Sequence, residues 1–92
     1  MVILAVQHPV ADYDAWKSAY DARNPGTFGA KFARVNRMVG NPNMVTVVMG
    51  FDSLEAAETM ANNPELKAAM DAAGVTAPPR FEYYEEVESV QY

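Results

Sequence analysis

The sequence contains no cysteine and a single histidine, and these shortages exclude several kinds of site. Without cysteine there is no disulfide framework, no thiol nucleophile and no thiolate metal site. One histidine and dispersed acidic residues do not form a metal-ligand set, so we expect no metal. A glycine-rich phosphate loop and a Gly-x-Ser-x-Gly nucleophile motif are also missing. We therefore expect neither a phosphate-binding loop nor a serine nucleophile.

Long apolar runs and clusters of basic residues are missing as well. No stretch approaches the roughly 20 apolar residues that span a bilayer. The apolar segment Met1–Val6 has no basic segment before it, as a signal peptide would have. The net charge is −5 and the basic residues are scattered, so neither nucleic acid nor a membrane is an expected partner. These features predict a soluble, cytoplasmic protein.

Apolar residues, by contrast, are abundant for so short a chain. Ninety-two residues make one domain, residues 1–92. A domain of this size buries only roughly 60–65% of its unfolded surface. Yet 50% of the residues are hydrophobic, among them six methionines. We expect part of this apolar material to line a ligand cavity or a subunit interface.

Apolar spacing and turn residues predict four strands and three helical segments. The predicted strands are Met1–Gln7, Phe28–Val39, Met44–Phe51 and Arg80–Val90, and the helices are Tyr13–Arg23, Leu54–Ala61 and a short helix beginning at Pro64. Asp12, Ser53 and Asn63 are the expected N-caps of the three helices, and Gly74 is the expected C-terminal cap of the last one. Residues Gly40–Asn43 are the expected hairpin turn between the second and third strands.

The order β-α-β-β-α-β, with the second helix broken in two, predicts an α+β, ferredoxin-like domain with an antiparallel sheet. Within that sheet we expect right-handed crossovers to set the first and third strands side by side and parallel. Both helices should cover one face. The other face carries apolar residues, which two copies of the chain would bury by forming a barrel.

These expected strand directions bring candidate functional residues to one end of the sheet. The first and third strands would end there, beside the starts of the second and last strands. The expected cluster consists of His8, Phe28, Phe32, Met49, Phe51, Arg80, Phe81 and Tyr83. Apolar walls with a few polar groups are typical of a pocket for a small organic ligand.

The polar residues in this region suggest chemical roles. His8 titrates near neutrality and is a candidate general base or hydrogen-bond donor. Tyr83 could donate to a carbonyl or phenolate, and Asn36 could polarise a carbonyl. Arg34 or Arg37 could hold an anionic oxygen.

Each polar residue also has a structural interpretation. A lone histidine at a strand end is more often a local hydrogen-bonding residue, as His8 would then be. Arg37, beside the hairpin turn, would be an ion-pair partner. Trp16 lies on the apolar stripe of the first helix, so we interpret it as a core anchor.

Three segments, HPVADYDAWKSAY (8–20), NRMVGNPNMVTVVMGFDSLEAA (36–57) and NPELKAAMDAAGVTAPPRFEYYEEV (63–87), carry a family resemblance. They resemble the dimeric α/β barrel superfamily, which contains antibiotic-biosynthesis monooxygenases and related cyclase-like proteins. His8, Val10, Asp12 and Trp16 occupy matching positions at the start of the pattern. Arg37 resembles an arginine that precedes the hairpin turn in relatives, but the acidic residue common there before the proline is Asn41 in this chain.

The resemblance implies a homodimer whose sheets form a barrel, with a pocket for a small apolar or aromatic ligand in each subunit. Its monooxygenase members oxidise aromatic polyketide-type substrates without metal or flavin. The substrate's own enolate or phenolate passes an electron to oxygen, and the protein stabilises an oxyanion and excludes water. Haem is not expected, because haem-degrading members need a ligating histidine on a helix.

The predicted function is a cofactor-independent monooxygenase or cyclase for a small aromatic or polyketide-like carbonyl compound. The candidate catalytic residues are His8, Tyr83 and Asn36, and the candidate substrate-binding residues are Phe28, Phe32, Arg34, Met49, Phe51 and Phe81. Two alternatives remain open. One is a non-catalytic dimer that binds small molecules or serves a stress response, and the other is a purely structural interaction module.

Overall fold

The structure, a computed structural model, describes all residues from 1 to 92 as an α+β domain. Its elements are β1 (Val2–Pro9), α1 (Tyr13–Ala22), a 3₁₀ turn (Pro25–Phe28), β2 (Phe32–Met38), β3 (Asn41–Phe51), α2 (Leu54–Ala61), α3 (Pro64–Ala72) and β4 (Arg80–Glu85). The predicted ferredoxin-like order is confirmed. None of the helices is long and apolar enough to cross a membrane.

The helix ends follow the local chemistry of the sequence. All three expected N-cap side chains accept a backbone hydrogen bond from the first turn: Asp12 from Ala15 at 3.0 Å, Ser53 from Ala56 at 3.1 Å and Asn63 from Glu65 at 2.9 Å. Gly74 follows α3 with φ 89°, which confirms it as the left-handed residue at that end. Its N–H donates to the Asp71 carbonyl, while the Val75 N–H donates to the Met70 carbonyl.

The four strands lie in the order β2-β3-β1-β4, and every neighbouring pair is antiparallel. The expected parallel pairing of β1 with β3 is therefore wrong. The crossover through α1 returns the chain to the direction of β1 in β2, and the hairpin then reverses it in β3. As a result His8 pairs with Val45 at the start of β3, while Phe51 pairs with Val2 at the far end.

The strand boundaries differ from prediction at two places. Phe28 lies in the 3₁₀ turn rather than in β2, because Pro25 and the Asn24 side chain, which accepts from the Gly26 N–H, favour a tight turn there. The strand then begins only at Phe32. The last strand ends at Glu85, short of the predicted Val90.

Alternation along the strands divides the sheet into two faces. The face covered by helices carries the buried core, which comprises Leu4, Val6, Val10, Trp16, Val45, Val47, Met49, Phe51, Ala57 and Met60. Trp16 is thereby confirmed as a core anchor. The register places Ile3, Ala5, Gln7, Phe32, Arg34, Asn36, Thr46, Val48, Arg80, Glu82 and Tyr84 on the opposite, helix-free face. That face mixes apolar and polar side chains.

A candidate ligand pocket between the sheet and the helices

A pocket of about 70 Å³ lies between the helix-covered face of the sheet and the helices. Its floor is formed by Val6 and His8 of β1 and by Val47 and Met49 of β3. Twelve of its fifteen lining residues are hydrophobic. Such a lining, with a few polar groups, is the usual composition of a small-molecule site.

One wall of the pocket is a single face of α1. Ala19 and Tyr20 follow Trp16 by three and four positions, and Arg23, the C-cap residue just after the helix, follows them by four and three, so the four residues line one side. Trp16 and Tyr20 stack with ring centroids 5.0 Å apart. This wall therefore runs from an aromatic end near the floor to a cationic end at Arg23.

The opposite wall is formed largely by α3, which is the least anchored helix. It contributes Leu66, Ala69 and Met70 to the pocket, but none of its residues is fully buried. Asn63 precedes it and Gly74 follows it, so both ends adjoin turns. Helices with few buried contacts open more readily than the core, and α3 is thus the element most able to admit a ligand.

His8 is the polar group of the pocket floor, and it is only 3% exposed. Its ring meets the edge of Trp16, with centroids 5.6 Å apart and planes inclined by 64°. Its Nδ1 atom is buried and has no hydrogen-bond partner. An unpartnered buried polar atom is costly and rare in native proteins, so a histidine retained here at that cost is a candidate functional residue.

Burial also determines the charge of this histidine. Desolvation lowers the pKa of His8 below its usual value, and backbone groups of Pro9 and His8 itself oppose this shift only in part. The imidazole is consequently neutral at pH 7, and a neutral imidazole can accept one proton and donate another. Burial likewise raises the pKa of the Tyr20 phenol, with Asp21 adding to the effect, so Tyr20 stays protonated.

The second polar group of the pocket is Arg23, at the end of α1. One of its terminal nitrogens, Nη2, lies 2.8 Å from a carboxylate oxygen of Glu65 in α3. Its guanidinium also lies over the Phe28 ring, 5.4 Å from the centroid. The contact with Glu65 links α1 to the start of α3, beside the pocket lining.

Three of the nine residues predicted for the site line this pocket: His8, Phe28 and Met49. Phe28 reaches it from the 3₁₀ turn rather than from a strand. Phe51 lies on the same face and is fully buried, but it sits at the far end of β3 and is a core residue.

The two residues predicted on β4 share the helix-covered face without lining the pocket. Phe81 pairs with Val6 and packs against the core, and Tyr83 pairs with Leu4 and is 39% exposed. Burial together with Glu58 raises the pKa of Tyr83, so its phenol stays protonated. Tyr83 is thus separated from His8 along the sheet.

The predicted residues of β2 lie on the helix-free face, away from His8. Phe32, Arg34 and Asn36 alternate with the inward residues of that strand. The Asn36 amide donates to the Arg34 and Thr46 carbonyls at 3.3 Å, and the Arg34 guanidinium covers the Phe32 ring at 4.4 Å. Arg80 also lies on this face and pairs with Glu82 at 3.2 Å. The expected cluster of eight residues therefore does not form.

Arg37 lies on the helix-covered face, outside the pocket. Its guanidinium covers the Tyr13 ring at 3.8 Å and its Nε donates to the Pro42 carbonyl at 3.0 Å. These contacts tie the hairpin turn to α1, so its role is structural, through a ring and a carbonyl rather than an ion pair.

Sequence reasoning missed the helical half of the pocket. Tyr20, Arg23, Met60, Leu66 and Met70 all line it, yet none was a candidate. The available signal was the spacing on the first helix, which places Arg23 two turns after Trp16 on the same face. Nowhere do three or more acidic or histidine side chains form a group suited to a metal ion.

The fold is shared with solved structures described as antibiotic biosynthesis monooxygenases. A candidate enzyme of that kind from Deinococcus radiodurans aligns over 100% of this chain and 98% of its own, with a TM-score of 0.72 and 20% identity. SnoaB, a cofactor-independent oxygenase from Streptomyces nogalater, aligns over 99% and 97%, with a TM-score of 0.74 and 14% identity. A conserved protein from Methanosarcina mazei aligns over 92% and 91%, with a TM-score of 0.73 and 10% identity.

These identities establish a common architecture. No protein-family model and no curated protein matches the sequence. The chain is therefore a ferredoxin-like α+β protein with the fold of the antibiotic biosynthesis monooxygenase structures, and its activity has to be argued from its own pocket.

Proposed function

We propose that this protein is a cofactor-independent monooxygenase for a small aromatic or enolisable carbonyl compound that binds beside His8. The observation that carries the proposal is a buried, neutral histidine, with no partner for Nδ1 within the protein, on the floor of a mostly apolar pocket. The fold likeness to SnoaB, itself described as a cofactor-independent oxygenase, supports it. The pocket supplies a proton acceptor in mostly apolar surroundings, and this chemistry uses both.

The reaction begins when His8 accepts a proton from a phenol or an activated methylene group. The resulting anion passes an electron to molecular oxygen, and the two radicals combine to form a peroxide. The imidazolium then returns its proton as water leaves. In balance, a CH₂ group and O₂ give a C=O group and H₂O. The apolar surroundings strengthen the attraction between imidazolium and anion, because few water dipoles screen it.

The size of the pocket limits the substrate. A cavity of about 70 Å³ has room for a handful of water molecules rather than for a fused polycyclic compound. A compound with one ring is therefore a better match for the pocket than a multi-ring polyketide.

One observation favours a different function, the binding of a small molecule without catalysis. His8 is the only catalytic candidate inside the pocket, because Tyr83 and Asn36 lie outside it. A binding protein needs the cavity and a hydrogen-bonding group, but no second polar residue at the reacting atoms. A cyclase is also compatible with enolate formation by His8, and it would consume no oxygen.

A homodimer formed through the helix-free face remains part of the proposal. That face carries half-buried apolar side chains such as Ile3, Val48 and Phe32, which a second copy would cover. Light scattering at micromolar concentration tests this directly. A stable monomer would contradict it.

Oxygen uptake with a panel of phenols and diketones tests the activity, with product analysis by mass spectrometry. Purified protein should consume one O₂ per product and incorporate one oxygen atom. His8→Gln should reduce turnover at least tenfold, since the amide cannot accept the proton. Asn36→Ala, which removes a polar group outside the pocket, is the matched control and should retain turnover.

The outcomes separate the candidate functions. Ligand binding without oxygen uptake or a new product would favour the binding protein. A cyclised product without oxygen uptake would favour the cyclase. If His8→Gln kept full turnover on a confirmed substrate, His8 would not be the base.

A further inference from the structure

Arg23 is a polar lining residue that the proposed reaction does not use. It is the C-cap residue that directly follows α1, and it lines the same pocket as Trp16, seven residues earlier in the chain. At the rise of an α-helix, seven residues correspond to about 10.5 Å between backbone positions. Because Trp16 touches His8, the pocket has a neutral imidazole near one end and a cation near the other.

The contacts of Arg23 leave it able to change partners. The Arg23 and Glu65 side chains are 51% and 67% exposed. An ion pair at such exposure contributes only about 0–1 kcal/mol, because water screens it. The Phe28 ring supports the guanidinium from one side and would remain in place if Glu65 moved away. Arginine binds a carboxylate through two parallel hydrogen bonds, so another carboxylate could replace that of Glu65.

No other cationic side chain lines the pocket. The other six basic residues lie outside the lining. They are Arg34 and Arg80 on the helix-free face, Arg37 over Tyr13, Lys31 beside Asp52, Lys17 paired with Asp21, and Lys67 on α3. In a chain of net charge −5, a single arginine at an apolar cavity favours a ligand with one negative charge. A doubly charged group would have no second cation to meet.

We propose that the pocket binds a one-ring aromatic carboxylate, with its carboxylate on Arg23 in place of Glu65 and its ring toward Trp16 and His8. This inference rests on the proposed site and names its substrate class. Because His8 on the floor and Arg23 beyond α1 lie toward opposite ends of the pocket, they favour a ring whose carboxylate and reacting group are para to each other. Arg23 acts as the specificity-determining residue, and Glu65 competes with the ligand.

Trp16, the only tryptophan, lines the pocket and provides a readout that needs no turnover. The probes are para-hydroxybenzoate and its methyl ester, which has the same ring but no charge. We would titrate both without oxygen, following tryptophan fluorescence and confirming by calorimetry. The wild-type protein should bind the acid at least tenfold more tightly than the ester, and more tightly than ortho-hydroxybenzoate.

Two substitutions test the exchange of partners. Arg23→Gln should abolish the preference for the acid while leaving binding of the ester unchanged. Glu65→Gln should tighten binding of the acid severalfold, because the competing carboxylate is gone, and should not affect the ester. Lys31→Gln removes an ion-paired cation outside the pocket and is the matched control, which should keep the wild-type preference.

Any of three results would overturn the inference: equal binding of acid and ester, failure of both to bind, or an unchanged preference for the acid in Arg23→Gln. These results are distinguishable from failure of the proposed function. Charge-dependent binding without any oxygen uptake would preserve the ligand class and remove the oxygenase. Oxygen uptake with neutral phenols, without any preference for a charged ligand, would support the oxygenase and contradict the proposed ligand class.

Discussion

The sole histidine should make the stability of this protein depend on pH in a narrow and assignable window. Burial lowers the pKa of His8 in the folded state below its ordinary value of about 6.5. At a pH between the two pKa values, the unfolded chain therefore has a protonated His8, whereas the folded chain has a neutral one. Stability is fully present above the unfolded pKa and is lost as the pH falls below it toward the folded pKa.

The size of the effect follows from the surroundings of His8. With 3% exposure and no partner for Nδ1, the folded state gains little from protonation. If only the unfolded state takes up the proton, lowering the pH from about 7.5 to about 5.5 reduces the free energy of unfolding by up to about 1.4 kcal/mol. For a domain of this length, that loss corresponds to a fall in Tm of roughly 5–10 °C.

Urea denaturation of the wild-type protein and of His8→Gln, at several pH values and one protein concentration, measures this effect. The two proteins differ only at this side chain, so subtracting the two profiles isolates His8. His8→Leu provides a second control, because it removes the unpartnered nitrogen and should be at least as stable as the wild-type protein at neutral pH.

Parallel profiles for the wild-type protein and His8→Gln between these pH values would refute the reasoning. So would an imidazole pKa at or above 6.5, measured by NMR in the folded protein. Either result would show that the buried ring already has a partner for its protonated form.

Three further substitutions test the packing. Asp12→Ala removes the side chain that caps α1 through the Ala15 N–H and should cost about 1 kcal/mol in urea denaturation. Met49→Ala truncates a fully buried residue of the pocket floor and should cost about 2–5 kcal/mol, measured in the same way, while enlarging the cavity. Gly50→Ala places a methyl group against the Phe32 ring on the helix-free face and should lower Tm through a cost of about 1–3 kcal/mol, whereas an unchanged Tm would show that the ring moves freely.

The fold was predictable because its signals are local. Asp12, Ser53 and Asn63 mark helix starts, and Gly74 marks an end, through hydrogen bonds within a few residues. The direction of a strand depends on every connection before it in the chain, and the predicted parallel pairing of β1 with β3 was wrong for this reason. The crossover from β1 leads to β2, and the hairpin reverses β3, so the end of β1 meets the start of β3. Because β3 runs opposite to the predicted direction, Phe51 lies at the end of the sheet away from His8 rather than beside it.

The site was less predictable, because strand parity cannot be assigned without knowing the register. Asn36 and Arg37 are adjacent in the sequence, yet one lies on the helix-free face and the other on the helix-covered face. The α1 wall was accessible in principle, since its spacing is regular. A helix stripe that lines a cavity has the same sequence pattern as one that fills a core, so Tyr20 gave no separate signal.

His8 lowers the stability of the folded protein, but it supplies the polar group that the proposed function needs. A leucine at this position would satisfy the apolar surroundings better, since it leaves no buried nitrogen without a partner. Burial, which lowers the pKa of His8, keeps the imidazole neutral and able to exchange a proton with a ligand. The thin cover provided by α3 and the exposed contact between Arg23 and Glu65 give a ligand a route to the pocket floor, on which His8 lies. A core that served only for packing would need neither a buried histidine nor a weakly anchored helix over it. Because both features occur at the same apolar pocket, we interpret the pocket as a binding site rather than as a packing defect.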